Sequence, residues 1–303
     1  MNMKLTTSGP TLNRYSLTIP SCPHALDVLR FEGLEQLSVL YHYSVRFTCS
    51  ASELTAGMFL NQPALLIMKG GALLNATPVK FVHGVVTHFR RLTGSRDQVS
   101  YEIIVEPYLS LLDKQFRTHR FFINKSVPEV VGEILQEHAL HGWEYEFTLT
   151  QSYPKREQIN QYQESDLAFI ERLLAEVGIF YFFTLQPDTR TEVVHFADQQ
   201  SAYEFDKRLA LDSPSGMSDS GADSVWGLNI RHQVVQAGVT TKDYNHREAQ
   251  KVLQSARADI TGGEGEEMRY GEVYHYKPRH LETGEASSPA PETCLLYTSP
   301  SPR

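Results

Sequence analysis

Gln161-Tyr162-Gln163-Glu164-Ser165-Asp166-Leu167-Ala168-Phe169-Ile170-Glu171-Arg172-Leu173-Leu174-Ala175-Glu176-Val177-Gly178-Ile179-Phe180-Tyr181-Phe182 is the stretch on which the fold turns. It reads as one short helix with both ends marked, running directly into a strand. Ser165 suits the N-cap, where a hydroxyl accepts a hydrogen bond from an unpaired backbone N–H of the first turn. Asp166 puts negative charge at the positive end of the helix dipole. Leu167, Ile170, Leu173, Leu174 and Val177 recur at spacings of three and four, one apolar stripe. Gly178 fits the left-handed position that ends a helix. Ile179, Tyr181 and Phe183 then open a β-rich segment. The spacing predicts a helix over 166–177, and nothing in it has the form of a catalytic constellation.

Outward toward the amino terminus the period changes from helix to strand. Tyr41, Tyr43, Val45, Phe47 and Cys49 alternate with His42, Ser44, Arg46, Thr48 and Ser50, as in a strand with one buried face. Tyr15, Leu17 and Ile19 alternate likewise, as do Val99, Tyr101, Ile103 and Val105. Short alternating runs broken by Gly, Pro and Asn suggest a barrel or a sandwich, with a β-barrel the first choice. From about residue 110 helical signals appear. Ser126-Val127-Pro128-Glu129 has capping-box spacing, Val130, Val131, Ile134, Leu135 and His138 continue at helical spacing, and Gly142 is the expected stop. Residues 212–224 read as a polar linker, after which Trp226, Leu228, Ile230 and Val234 restart a strand pattern. Residues 245–259 read as a helix with a poor stripe. The expected architecture is α+β and mainly β, with two β-barrel-like domains flanking a small α/β insert. Its divisions are 1–110 for the first barrel and 111–210 for the insert, with helices near 127–140 and 166–177. The second β-rich domain takes 211–286, incomplete, and 287–303 is a non-native tail.

The 303 residues are enough for two or three domains, and 41% hydrophobic with 21% charged residues describes a folded chain rather than a disordered one. A net charge of −8 argues against a nucleic-acid partner. Arg90, Arg91 and Arg96 lie close together and read as a solvated loop. The first residues are polar, without an apolar run like that of a secretory signal peptide, and no apolar stretch approaches the roughly 20 residues of a membrane-spanning helix. Cys22, Cys49 and Cys294 are too scattered for a disulfide framework or a cysteine zinc site.

Candidate chemistry is weak throughout. His138 and His141 could put two ligands on one helix face, but no HExxH or cysteine pair completes a metal site. Glu164, Asp166 and Glu171 could be imagined as glycosidase acids. Asp166 and Glu171 are five apart and do not share a helix face, so helix-end electrostatics and solvation account for them. Ser218-Asp219-Ser220-Gly221 lacks the hydrolase elbow, and Gly262-Gly263-Glu264-Gly265 lacks the Lys-Ser/Thr of a phosphate loop. The aromatic run Phe180–Phe183 reads as core. The expectation is no enzyme, no metal and no cofactor.

The segment quoted first resembles, almost residue for residue, the QY-x-ESD-x-x-F-x-x-RL-x-x-E-x-GI-x-Y-x-F signature of VgrG proteins, the spike of the type VI secretion system. The matching residues are Gln161, Tyr162, Glu164, Ser165, Asp166, Phe169, Arg172, Leu173, Glu176, Gly178 and Tyr181. Further elements follow the family order. Phe81-Val82-His83-Gly84-Val85-Val86-Thr87 resembles its G-x-V-T strand. Tyr101 to Leu109, with Leu112, resembles its Y-x-x-x-V-x-P-x-L-x-x-L run. Ser152-Tyr153-Pro154-Lys155-Arg156-Glu157, Lys242-Asp243-Tyr244-Asn245 and Tyr274-His275-Tyr276 match later elements, so the likeness covers roughly residues 10–286. It implies a phage-tail-hub-like, homotrimeric base that caps the tube of haemolysin-coregulated protein and meets baseplate, adaptor and effector proteins. It also implies assembly in the cytoplasm and secretion by the type VI system without a signal peptide. The alternatives are a contractile-phage tail hub of the late-control D type, a secreted hydrolase or toxin, and a small-molecule-binding barrel. Beyond Ala286 the likeness stops, and Cys294–Arg303 resembles translated sequencing-adaptor read-through. The family's neck and needle would lie downstream of this point.

Overall fold

The computed structural model of the chain describes residues 14–51, 53–70, 77–94, 98–203, 208–211, 224–225, 227–245, 248–254 and 268–276. Its first part is β1 (Tyr15–Thr18), β2 (Asp27–Gln36), β3 (Val39–Cys49), β4 (Pro63–Gly70), β5 (Thr77–Gly94) and β6 (Val99–Glu106). These strands form one antiparallel sheet in the order β1-β4-β5-β6-β3-β2. The alternation read from the sequence causes it: Tyr41, Tyr43, Val45 and Phe47 are buried while His42 and Arg46 face outward. Phe47 stacks on Phe59 and Tyr101 at centroid distances of 5.8 and 5.7 Å. Register shifts at Val28/Arg30, Leu34/Gln36, Met68/Lys69 and Val86/His88 add the local bend that curls a sheet. The result is a curled half barrel, and its end strands β1 and β2 share no ladder among the described residues. Arg90 and Arg91, expected in a loop, lie on β5, where the long ladder with β6 extends the strand; Arg90 pairs there with Glu102. Arg96 lies outside the described residues.

A 3-10 segment, Tyr108–Lys114, leads into the insert: β7 (Phe116–Lys125), α1 (Val127–Glu137), β8 (Tyr145–Thr148), β9 (Arg156–Ser165), α2 (Asp166–Val177), β10 (Phe180–Leu185) and β11 (Glu192–Ala197). β7 and β9 pair as an antiparallel ribbon, and β10-β11-β8 form a mixed sheet with β8 parallel to β11. Ile134, Phe169, Ile170, Leu173 and Phe196 are fully buried between these layers. α1 starts where its capping box lies, with the Ser126 N–H donating to the Glu129 carboxylate at 2.7 Å. It ends earlier than expected and not at Gly142. Ala139 turns left-handed at φ 59°, and the Leu140 N–H bonds back to the Leu135 carbonyl at 3.0 Å.

The remaining strands are β12 (Ala210–Leu211), β13 (Ser224–Val225), β14 (Gly238–Asp243), β15 (Leu253–Gln254) and β16 (Glu272–Tyr276), with β14 central between β15 and β16. Two expectations fail here. The helix over 245–259 does not form in its described part: residues 248–252 turn, and Leu253 is buried in the short strand β15. Without a continuous apolar stripe, pairing with β14 outweighs helix propensity. The alternation at Leu228, Ile230 and Val234 does not build a strand either, and all three side chains are exposed. Alternation makes a strand only when a neighbour takes the ladder. Trp226, residues 212–223, the Gly262–Gly265 turn, Cys294 and the 287–303 tail lie outside the described residues.

Candidate functional site

Two buried carboxyls mark the seams of the insert. The first belongs to the signature. Ser165 caps α2, its Oγ accepting from the Ala168 N–H at 3.2 Å and donating to Asp113 at 2.9 Å. Gly178 closes the helix at φ 74°, ψ 25°. Gln163 stands at φ 50°, so the chain kinks just before the cap. Asp166 then points inward and is fully buried. Its carboxylate accepts from Gln161 Nε2 at 2.7 Å, Arg117 Nε at 3.1 Å and His138 Nε2 at 2.9 Å. Burial alone would raise this carboxyl; the bonds from Gln161, His138 and Arg117 outweigh that and hold it below its ordinary 3.8. Solvation, expected for Asp166, is therefore wrong. A short acidic side chain facing three donors is cheaper buried than left beside them in water.

The other signature residues surround this joint. Arg172 bonds Glu164 at 2.6 Å, Glu176 at 3.1 Å and the Asn160 carbonyl at 2.9 Å, with its guanidinium 5.2 Å from the Phe169 ring centre. Tyr181 donates to Glu171 at 2.7 Å, and its backbone carbonyl accepts from the Ser38 N–H at 2.9 Å, tying the insert to the β2–β3 turn. Tyr162 is exposed. The three candidate acids thus face three different partners. His138 goes to Asp166 while His141 stacks on Trp143 at 4.5 Å, so the two histidines do not converge. Among the described residues no group of three or more His, Cys, Asp or Glu could hold a metal ion. Ahead of the signature, Tyr153 donates to Asp198 at 3.0 Å and Arg156 pairs with Glu176 at 2.8 Å.

The second carboxyl, Glu192, was not singled out from the sequence. It opens β11 and faces the half barrel, buried against Tyr41, His83 and Tyr108. The Tyr108 N–H donates to its Oε1 at 2.5 Å, and the Tyr41 hydroxyl bonds both its Oε2 and the His83 carbonyl. Burial pushes the Glu192 carboxyl up to about 8 against the pull of these bonds, and burial pushes His83 down to about 4. Gly84 belongs to this contact: a Cβ there would lie 2.4 Å from the Glu106 carbonyl oxygen and 2.9 Å from the Tyr41 hydroxyl. That close approach is a physical reason for the glycine of the G-x-V-T strand. Beside Glu192 opens a cavity of about 370 Å3 between β2, β3 and β5 on one side and β10 and β11 on the other. Lys80 contacts both Glu35 oxygens there, at 2.8 and 2.9 Å. The one signal available was a lone acid at the head of the apolar run Val193-Val194-His195-Phe196.

With this geometry in place, comparison with known proteins is informative. The sequence profile of the phage tail baseplate hub family matches residues 34–290. The type VI secretion system spike protein VgrG5 of Pseudomonas aeruginosa is 29% identical over 286 residues, which is 89% of this chain and 33% of VgrG5. The actin cross-linking toxin VgrG1 of Vibrio cholerae is 28% identical over 257 residues, 80% of this chain and 22% of the toxin. Among solved structures, the E. coli c3393 protein aligns with a TM-score of 0.58 at 37% identity, over 65% of this chain and 52% of that one. That protein is described as a type VI secretion component with structural similarity to the T4 bacteriophage tail proteins gp27 and gp5. The chain spans about a third of the length of VgrG5.

Proposed function

The chain belongs to the phage tail baseplate hub family, and from that premise we propose that it is the hub region of a type VI secretion spike, with a structural role. The observation that carries this reading is the family match over residues 34–290 together with 37% identity to a type VI component of the same fold. In this reading residues 1–110 and 211–286 are the two β-rich hub units and 111–210 the insert between them. The signature residues Gln161, Tyr162, Glu164, Ser165, Asp166, Phe169, Arg172, Leu173, Glu176, Gly178 and Tyr181 then have the task of fixing the insert's shape. Engagement of Glu164, Asp166 and Glu171 by Arg172, Arg117 and Tyr181 supports a structural role over a hydrolytic one.

The reading extends to a homotrimer whose ring seats on the tube of haemolysin-coregulated protein and whose other face meets baseplate, adaptor and effector proteins. It also extends to cytoplasmic assembly followed by secretion through the type VI system. Among the described residues no helix is long and apolar enough to cross a membrane. The test uses the full-length protein that contains this region. Mixed with tubes of haemolysin-coregulated protein, it is expected to sediment as three copies and to cap tube ends in negative-stain images. Tubes left open, or a full-length protein that stays monomeric at micromolar concentration, would overturn the reading. Capping of a phage tail tube in place of the secretion tube would assign the chain to the late-control D type of hub.

A further inference from the structure

The cavity between the half barrel and the insert has the composition of a binding site that the hub role does not use. Its walls include Val39, Phe81, Phe183 and Leu185, and its charged or ionisable lining groups are Glu35, Lys80, His83, Tyr41 and Glu192. A pocket of this size with apolar walls and a few converging polar groups is the usual form of a small-ligand site.

The Tyr41 hydroxyl donates to both the His83 carbonyl and Glu192 Oε2, its single hydrogen shared between them. Glu192 Oε1 accepts the Tyr108 N–H at 2.5 Å. The carboxyl is thus buried between two neutral donors with no cation on either oxygen, which favours its neutral form, in keeping with its position far above the ordinary 4.5.

The charged and titratable groups around it leave it without a cationic partner, and the nearby Arg190 guanidinium lies over the Phe81 ring, 4.5 Å from its centre. On β5, Lys80 is committed to Glu35 of β2 at 2.8–2.9 Å, and burial keeps His83 neutral. Tyr41 on β3 and Tyr108 before β7 offer dipoles only. Glu144 adds a like charge that disfavours ionisation. Nothing among these supplies a cation, so this acid remains protonated although its ordinary range would ionise it.

We propose that this cavity binds an alkylammonium or guanidinium group on an apolar stem, with the stem against Phe81 and Phe183 and Glu192 as the counter-charge. On binding, the Glu192 O–H bond breaks and its proton passes to the buffer. Tyr41 then turns its single hydrogen to the carboxylate, and the ligand's cation sits against it. One positive charge enters and one leaves, so the net charge of the complex equals that of the uncomplexed protein. The chemistry belongs equally to a free monoamine and to a lysine or arginine side chain of a partner.

Calorimetry at about pH 6.5, between the ordinary 4.5 and the raised value near 8, tests this. The probes are phenethylamine, its uncharged counterpart 2-phenylethanol, the carboxylate 3-phenylpropionate, and the peptide acetyl-Val-Lys-Val-amide. Running each titration in two buffers of different ionisation enthalpy counts the protons released. The amine or the peptide is expected to bind at least about tenfold tighter than the alcohol, roughly 1.4 kcal/mol, and to release close to one proton. Glu192→Gln should abolish both the preference and the release. Tighter binding of the peptide assigns the site to a partner's lysine; tighter binding of phenethylamine assigns it to a free amine. Four outcomes would overturn the proposal: no saturable binding of any probe, equal binding of the alcohol, preference for the carboxylate, or cation binding without proton release. Proton counting on the unsubstituted protein keeps the test decisive if the variant fails to fold.

Discussion

Asp166 and Glu192 are both carboxyls buried at a seam of the insert, yet they are driven in opposite directions. Burial penalises the charged form of each. At the α1–α2 seam an arginine, a histidine and an amide converge on Asp166, and its carboxyl is held below its ordinary range. At the seam with the half barrel, Glu192 meets a hydroxyl and one backbone N–H, and it stays protonated. The donors, and not the depth of burial, decide which of two buried acids carries charge. The consequence is that one seam tightens as pH rises from strongly acid values while the other loosens as pH rises toward 8.

The largest effect supplies a baseline free of titration. Leu173 is fully buried in the core of the insert, and Leu173→Ala should cost about 2–5 kcal/mol in urea unfolding. The loss should be the same at pH 5 and pH 8, because only apolar contacts and a cavity are involved. A pH-dependent loss would mean that the core and the carboxyl joint are one cooperative unit, which breaks the comparison.

Asp166→Asn comes next. It leaves Arg117 and His138 without their anion, and since the Arg117 side chain is 33% exposed the cost falls below that of a fully buried pair, at about 2–3 kcal/mol near neutral pH. The sign follows from the lowered carboxyl. Its stabilisation is present above the ordinary value of 3.8 and is lost as pH falls through the lower folded value. The parent and variant curves should therefore draw together as pH falls below 3.8. A gap that stays constant on acidification below that value would show that the charge on Asp166 is not what stabilises the joint.

Glu192→Gln should act with the opposite sign. A raised carboxyl is at its most favourable below 4.5, and its contribution is lost as pH rises toward about 8. The parent protein should lose stability across that window, by an amount on the order of 5 kcal/mol. The amide variant should stay flat and overtake it near pH 8. Parallel curves for the two proteins would show that Glu192 is ionised in the folded state.

These two seams also mark how far the residues could be read. α2 was legible because each of its signals is local: a cap hydroxyl, a dipole charge, a 3-4 stripe and a glycine within fourteen positions. β3 and β6 were legible because a strict period of two survives without knowledge of the partner strand. The inward turn of Asp166 was not, since its three donors come from 49, 28 and 5 residues away in the chain. Glu192 was less so, with Tyr41 lying 151 residues distant. Leu228, Ile230 and Val234 failed for the same reason in reverse, because alternation is visible locally and the missing ladder is not. Gly84 falls between, conspicuous as a motif glycine but explicable only once Tyr41 and Glu106 lie beside it.

The smallest expected effect tests a contact at the Asp166 seam that involves no titrating donor. Ser165 accepts the Ala168 N–H and donates to Asp113, one residue from Asp166 and in the same turn of chain. Removing the hydroxyl strands that N–H and takes a donor from Asp113, and Ser165→Ala should cost about 1 kcal/mol, within the usual range for an N-cap. Between pH 5 and pH 8 the loss should be constant, since the hydroxyl does not titrate there. The informative measurement is the double variant with Asp166→Asn at pH 7. Two contacts that hold the same helix terminus from opposite sides should couple, so the combined loss should differ from the sum of the single losses by more than about 0.5 kcal/mol. Strict additivity would mean that the cap and the buried carboxylate act independently. The α2 terminus would then be held by two separate devices, and the resemblance between the two carboxyl seams would be confined to their burial.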